Sequence, residues 1–462
     1  MLSYLSNVAR ASACSRSGRC RTALLGAAAI ALFAGSTVSA QVSTPATPRV
    51  GSPTTPQRVG PPAPATVADA GLPQRAPRSG PLPAALTLQQ ALEEAEARSP
   101  AIIAAAARVE AAEARIRQAG FRPNPELSVE VENFLGTGEL SGLRGTETTV
   151  ALNQRLDIGG RRRARVAVAQ AEVAAEQLRL AIARADLALS VRQQFATAVT
   201  ARERLRIASE NERSARELAR VAGILVREGR EPPLRGIRAR SAAAQAGAEL
   251  EAARAEERAS RATLAALFGV TDSPESVTGE LFEPQTATMA ARQALEVRLA
   301  EAERTAAEAA VGQELAAARL DPAVGLGVRH LRESGDVALV GGVSLPLPIF
   351  DRNQGNIAAA RAGVRAADAN LASAIATADV RTQNALVNLE AARARVTALE
   401  GAAVPEAAEA QRLAQLSYRE GRATLLELLD AQEAYRNAQS ALGDARLAQA
   451  LAAAELSRAA AQ

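Results

Sequence analysis

Lysine and tryptophan are absent from all 462 residues, and histidine occurs once, at His330. Cysteine and methionine occur twice each, and aromatic residues make up 2% of the chain. A single histidine leaves no multi-histidine metal site within one chain. A histidine-based catalytic triad is not expected either. Both cysteines, Cys14 and Cys20, fall in the first 40 residues. That segment carries Arg10, Arg16, Arg19 and Arg21, an apolar run from Thr22 to Phe33, and the small residues Val38-Ser39-Ala40 before Gln41. It is the pattern of a cleaved signal peptide. The run is short for a membrane-spanning helix; an N-terminal anchor is the alternative. After cleavage the chain has no disulfide and no thiolate, and one methionine, Met289. Capture of a soft metal by sulfur is therefore not expected. Neither cysteine follows the apolar-then-small pattern of a lipoprotein signal.

The basic balance is also an absence in disguise. Removing the four signal-peptide arginines from 54 basic residues leaves 50, equal to the 50 acids. The charges are interspersed and form no basic stripe, so nucleic acid is not an expected partner. The lack of lysine fits a GC-rich coding bias. No later segment is long and apolar enough for a membrane helix. Membrane contact would come from strands closed into a barrel or from an interfacial helix.

What is present is present twice. Arg227-Glu228-Gly229-Arg230 recurs as Arg419-Glu420-Gly421-Arg422, 192 positions later. Arg122-Pro123-Asn124-Pro125 is echoed by Arg319-Leu320-Asp321-Pro322. Residues 41–84 hold 11 of the 22 prolines and read as a Pro-rich linker. Two repeats follow, 85–282 and 283–462. Each predicts helix, strand, loop, strand and a long helical stretch. A duplicated unit points to a repeating wall more than to one catalytic pocket.

In the first repeat Thr87 and Gln90 form a capping box, and a second helix follows Ser99-Pro100. Leu127, Val129 and Val131 alternate with Glu126, Ser128, Glu130 and Glu132 in a strand over about 125–134. Thr148, Val150, Leu152, Gln154 and Leu156 share a face of the return strand, about 146–156. One apolar and one acidic face suit lipid against water, although a soluble two-layer sheet reads the same way. Residues 161–222 contain neither glycine nor proline. Val166, Val173, Leu180 and Leu187 make one seven-residue track, and Ala175, Ile182 and Leu189 a second. Two seams allow a helix to pack on both sides, as a stave does. Pro232-Pro233 mark a reversal, Leu234–Phe268 return as helix, and Gly269–Pro284 connect. The second repeat predicts helix over Thr286–Ala318, strands at about 323–330 and 337–347, and helix from Ile357 interrupted at Gly401 and Pro405. Helix resumes to Arg419, turns at Gly421 and runs on from Leu425.

The order of these features resembles the TolC-type outer-membrane efflux family. The resemblance rests on Leu86-Thr87-Leu88-Gln89-Gln90-Ala91-Leu92, the glycine-rich hairpin, Val343-Ser344-Leu345-Pro346-Leu347-Pro348-Ile349-Phe350-Asp351, and Tyr418-Arg419-Glu420-Gly421 to Asp430. Asn133-Phe134 through Leu156-Asp157-Ile158-Gly159-Gly160-Arg161-Arg162 is similar to the branch exporting heavy-metal cations such as cobalt, zinc and cadmium. The resemblance implies a mainly α fold with a transmembrane β-barrel portion, in which each protomer of a homotrimer gives four strands to a twelve-stranded barrel. Long coiled-coil-like helices form an α-barrel across the periplasm. It implies outer-membrane lipid, a periplasmic adaptor and an inner-membrane resistance–nodulation–division pump as partners, with no cofactor and no enzymatic activity. Drug or organic-solute efflux and type I secretion are alternatives within transport. A periplasmic coiled-coil scaffold without a pore is the alternative outside it.

The same resemblance marks Glu427 and Asp430 as a constricting acidic gate, with Tyr418 holding the closed tip. Arg422 lies one position before the usual arginine. Aligning Gly229 with Gly421 sets Arg235 and Arg238 opposite the two acids, where they are candidate latch residues. Gly229 and Gly421 permit the helix reversals at the expected adaptor contacts. Arg161-Arg162-Arg163 read either as ligands for lipid phosphates or as a basic helix start. His330 reads as an incidental residue near an outer loop.

Overall fold

The computed structural model describes residues 80–135, 137–140, 142–279 and 293–461. The expected signal peptide, most of the Pro-rich linker and Met289 lie outside these residues. Described elements run β1 (Ala85–Leu86), α1 (Leu88–Arg98), α2 (Pro100–Gly120), β2 (Glu126–Glu132), β3 (Glu147–Arg155), α3 (Arg161–Arg227), α4 (Pro233–Leu267) and β4 (Ser276–Val277). The second repeat gives α5 (Leu295–Ala317), β5 (Ala323–Leu331), β6 (Val337–Ser344), α6 (Gln354–Ala398), α7 (Val404–Arg419) and α8 (Leu425–Ala459).

The capping box forms at α1 as expected: the Gln90 amide donates to Thr87 Oγ1, and the Thr87 amide donates to Gln90 Oε1. α3 is one unbroken helix of 67 residues, about 100 Å long at 1.5 Å per residue. All seven residues of its two heptad tracks are buried or half-buried. α3 packs against α2 and α4 of its own repeat and against α5 and α8 of the other. α6 packs on α5 and α8, and α7 on α8. The helices therefore form a wall, and its far side is poorly covered. α6 buries four of its 45 residues, and α7 buries none of its 16.

Gly401 and Pro405 do not break the second long helix. Between α6 and α7, residues Leu399–Ala403 form a π-turn, and the Val404 amide donates to the Leu399 carbonyl. Proline lacks an amide and its ring crowds the carbonyl four residues back. One wider turn absorbs both effects and lets the helix continue. The helix expected from Thr286 begins, within the described residues, at Leu295.

Four strands form an antiparallel sheet in the order β2-β3-β5-β6. Paired residues share a face, so the register fixes sidedness. Leu127, Leu152, Leu326 and Gly341 make one row, and Val129, Val150, Val328 and Leu339 the next. Glu126, Asn153, Gly325 and Gly342 make a row on the opposite face. That polar face is concave at β3–β5. A Cβ placed on Gly327 would lie 2.6 Å from Ala151 Cβ and 2.7 Å from the Val150 carbonyl, against about 4.5–5.5 Å for ordinary cross-strand neighbours. The apolar face is solvent-exposed in one chain, from Leu127 and Val129 through to Leu339 and Val343. β5 follows the expected strand to within one residue, ending at Leu331, which pairs with Glu147 of β3. β6 stops at Ser344, before Pro346 and Pro348, which cannot donate to a ladder.

Two further strands were not expected. β1 pairs parallel with β4, Leu86 opposite Val277. Leu86 and Val277 belong to a buried cluster with Val191, Phe195, Leu264 and Phe268. This collar ties the start of the first repeat to the connector between repeats, halfway along α3.

Candidate functional site

The two helix reversals are the same structure built twice. Gly229 and Gly421 both take left-handed backbone, at φ 71° and 74°. The Arg230 amide donates to the Leu225 carbonyl at 2.9 Å, and the Arg422 amide to the Ser417 carbonyl at 2.8 Å. The Gly229 amide donates to Val226 and the Gly421 amide to Tyr418. Each is a Schellman turn, which takes glycine at its left-handed position. Gly421→Ala meets no neighbouring atom, so its cost is backbone strain alone, about 1–2 kcal/mol. The expected result is a matching loss of stability in thermal dissociation assays.

Beyond the glycines the turns diverge. Thr424 caps α8, and Glu427 completes a capping box: the Thr424 amide donates to Glu427 Oε2 at 2.6 Å. That bond and the Thr424 hydroxyl hold the Glu427 carboxyl below the usual carboxylate range. The equivalent cap of α4 is Pro232, followed by Pro233 at the first helical position. Position 235 needs no capping acid there. Arg235 instead pairs with Glu231 one turn back, and the Glu231 carboxylate is largely buried. Sequence reasoning passed over Glu231, although an acid four residues before an arginine is a recognisable pairing signal.

Tyr418 sits where the two turns meet. It packs with Leu218, Ala219 and Leu429 around buried Ala222, Ala239 and Leu425. Its hydroxyl is buried without a hydrogen-bond partner. Burial, and then the Glu231 carboxylate, push its titration up, while Arg235 opposes them. The structure thus brings Tyr418, Glu231 and Arg235 into one locality. It leaves Asp430 and Arg238 exposed, with no ion pair among the described residues. Arg422 is also exposed, 3.4 Å from Glu420. Above this contact a groove of about 1160 Å³ separates the hairpins, lined by Arg213, Glu217, Arg220, Glu251 and Gln432 among others.

Elsewhere the expected residues divide. Arg161 pairs with Asp321 at 3.1 Å and donates to the carbonyls of Ala317 and Arg319. It clamps the start of α3 to the second repeat. Arg162 and Arg163 are exposed. His330 lies on the apolar sheet face, paired with Thr148 and Val337. Among the described residues no three His, Cys, Asp or Glu side chains are grouped to hold a metal ion, and no helix is long and apolar enough to cross a membrane.

A sheet with one lipid-compatible face, joined to a wall of long helices, defines a segment of a membrane channel. The chain belongs to the family described as Outer membrane efflux protein, which it matches over residues 91–270 and 287–462. It is 32% identical over 360 residues to the cobalt-zinc-cadmium resistance protein CzcC of Cupriavidus metallidurans, covering 75% of this chain and 83% of that one. It is 35% identical over 299 residues to the nickel and cobalt resistance protein CnrC of the same organism, covering 64% and 71%. The solved structure of CusC shares the fold, with a TM-score of 0.69 at 20% identity over 80% of this chain and 91% of that one. The protein is an outer-membrane efflux channel component and not an enzyme. Its strands form the membrane part and its helices the periplasmic extension.

Proposed function

We propose that three copies of the chain close into a duct that releases metal cations, as the exit part of a tripartite system with a periplasmic adaptor and a resistance–nodulation–division pump. The observation that carries this reading is the pair of open edges. β2 and β6 each keep an unpaired edge, and four strands are too few to close a barrel. The thinly covered α6–α7 side is the helical counterpart of those edges. The cargo reading draws on relatives named for cobalt, zinc, cadmium and nickel resistance. The mature chain's near lack of sulfur and imidazole supports it, because a conduit must bind its cargo weakly enough to let it go.

The turns serve as the periplasmic gate and adaptor contact, centred on Gly229 and Gly421. Glu427 and Asp430 supply an acidic ring in the trimer. Tyr418 anchors the closed arrangement and Arg422 flanks it. Arg238, with no ion pair among the described residues, reaches the acids of a neighbouring hairpin, while Arg235 holds Glu231 beside Tyr418. Charge reversal at Arg235 or Arg238 is expected to raise single-channel conductance in planar bilayers. Unchanged conductance in both variants would remove the latch. Heat-modifiable trimer migration of detergent-extracted outer membranes tests the assembly itself. Loss of cobalt or zinc tolerance on deletion of the gene tests the cargo.

A further inference from the structure

We propose that Arg329 is a specificity-determining residue of the barrel, which prevents its acidic lining from trapping the cations it passes. The inference rests on the trimeric-duct reading with the concave face inward. On that face Arg329 bridges three strands. Its Nη1 donates to Glu147 Oε2 at 2.9 Å and its Nε donates to Thr149 Oγ1 at 3.0 Å, while Nη2 lies 3.1 Å from Glu132 Oε2. A planar guanidinium can hold several acceptors in fixed directions, as an ammonium cannot. The two carboxylates are therefore held to one fixed cation and are not free to converge on a mobile one.

The rest of the face shows why this matters. At the opposite end of the sheet Arg155 lies 3.7 Å from Glu126. Glu130 lies in the same row as Thr149 and Arg329, next to Glu132 along β2, and is exposed with no ion pair among the described residues. From that row toward Glu126 the face carries mostly small residues: Ser128, Ala151 and Gly327 in the next row, then Gly325 and Gly342 beside Asn153. The row between Glu130 and Glu126 therefore carries no charged group. Four carboxylates thus face two guanidiniums per chain, and Glu130 is the one left without a counter-charge. A cation is attracted by this excess, but weakly enough to leave. Without Arg329, Glu132 and Glu147 join Glu130 within one turn of the barrel wall. Three chains would then present a dense carboxylate ring suited to oxygen-seeking divalent ions.

The test is reversal potential and block in planar bilayers under a potassium chloride gradient, using the full mature protein. Arg329→Gln is expected to raise the potassium-over-chloride permeability ratio about twofold or more. It should also make the current sensitive to cobalt ions added on the barrel side. Arg329→Lys should restore the ratio. Glu130→Gln should lower it. If Arg329→Gln yields no channels, the double variant Glu132→Gln with Glu147→Gln retains the guanidinium and should shift the ratio toward chloride. Unaltered ratios in Glu130→Gln and in whichever Arg329-site variant conducts would overturn the proposal. Absence of any conductance from the unaltered protein would instead overturn the duct reading beneath it.

Discussion

Gly327→Val should abolish assembled channel in the outer membrane, while Gly341→Val in the neighbouring strand should leave its amount near normal. Both glycines lie within the sheet, in β5 and β6. Their faces differ. A Cβ at Gly327 meets Ala151 Cβ at 2.6 Å, the Val150 carbonyl at 2.7 Å and Ala151 Cα at 2.9 Å. Two of those three atoms are backbone in the central strand pair, so no side-chain rotation relieves the overlap. The expected cost is about 3 kcal/mol or more, enough to disrupt the four-stranded sheet. A Cβ at Gly341 meets only the Gly325 carbonyl, at 3.8 Å. It points to the apolar face, where a β-branched side chain suits both lipid and strand. Immunoblots of unheated and heated outer-membrane extracts read both outcomes. Equal amounts of assembled channel from the two variants would mean that the polar face is not the concave, inward one.

Arg458→Leu should lower the thermal unfolding temperature markedly, by the equivalent of about 2–3 kcal/mol. The Arg458 side chain is 4% exposed, yet it reaches across the wall. Its Nε donates to Asp186 of α3 and its Nη2 to Glu296 of α5, each at 2.6 Å. Arg381 of α6 meets the same Glu296 oxygen at 3.0 Å. Burial opposes the Arg458 charge, but its bonds to Asp186 and Glu296 outweigh burial and raise its titration. Removing one partner from a buried ion pair usually costs about 3–5 kcal/mol. The figure here is smaller because Asp186 is mostly solvated and Glu296 keeps Arg381. Arg458→Lys should recover only part of the loss, since one ammonium cannot span both acids with the same geometry.

A pH dependence accompanies this network. Burial works against the Glu296 charge, but its own backbone amide, Arg458 and Arg381 together hold its carboxyl below the ordinary value of 4.5. A depressed carboxyl stabilises the folded chain above its unfolded value. That contribution should fade as pH falls below 4.5 and be gone beneath the lowered folded value. Glu296→Gln should flatten the acid limb of an unfolding-temperature curve. An unchanged slope would show that other carboxylates carry it.

The doubling, the long helices and the apolar strand faces were legible because each is a periodic signal. Gly229 and Gly421 announce the reversals, and Leu127, Val129 and Val131 announce a face. Sidedness was half legible. Alternation separates lipid-like from polar residues, but only the approach of Gly327 to Ala151 shows which way the sheet curls. β1 and β4 were invisible because two-residue strands carry no periodicity; they exist through the burial of Leu86 and Val277 against Phe195. At the paired turns the sequence supplied the residue types and their equivalence. It did not supply Glu231, whose importance comes from burial beside Tyr418. The π-turn at Leu399–Ala403 was legible as a disturbance at Gly401 and Pro405, but not as a continuation of the helix.

The collar around Phe195 has a mechanical consequence. From Phe195 to the end of α3 at Arg227 the helix extends roughly 48 Å at 1.5 Å per residue. With its midpoint gripped by Leu86, Leu264 and Val277, that lower arm is a lever whose fulcrum is remote from the strands. A tilt of about 10° there swings the far end through roughly 8 Å, while the ladder hydrogen bonds of the upper half stay in register. Under the proposed gate, dilation at the turns and integrity of the sheet would fall to opposite arms of one rod.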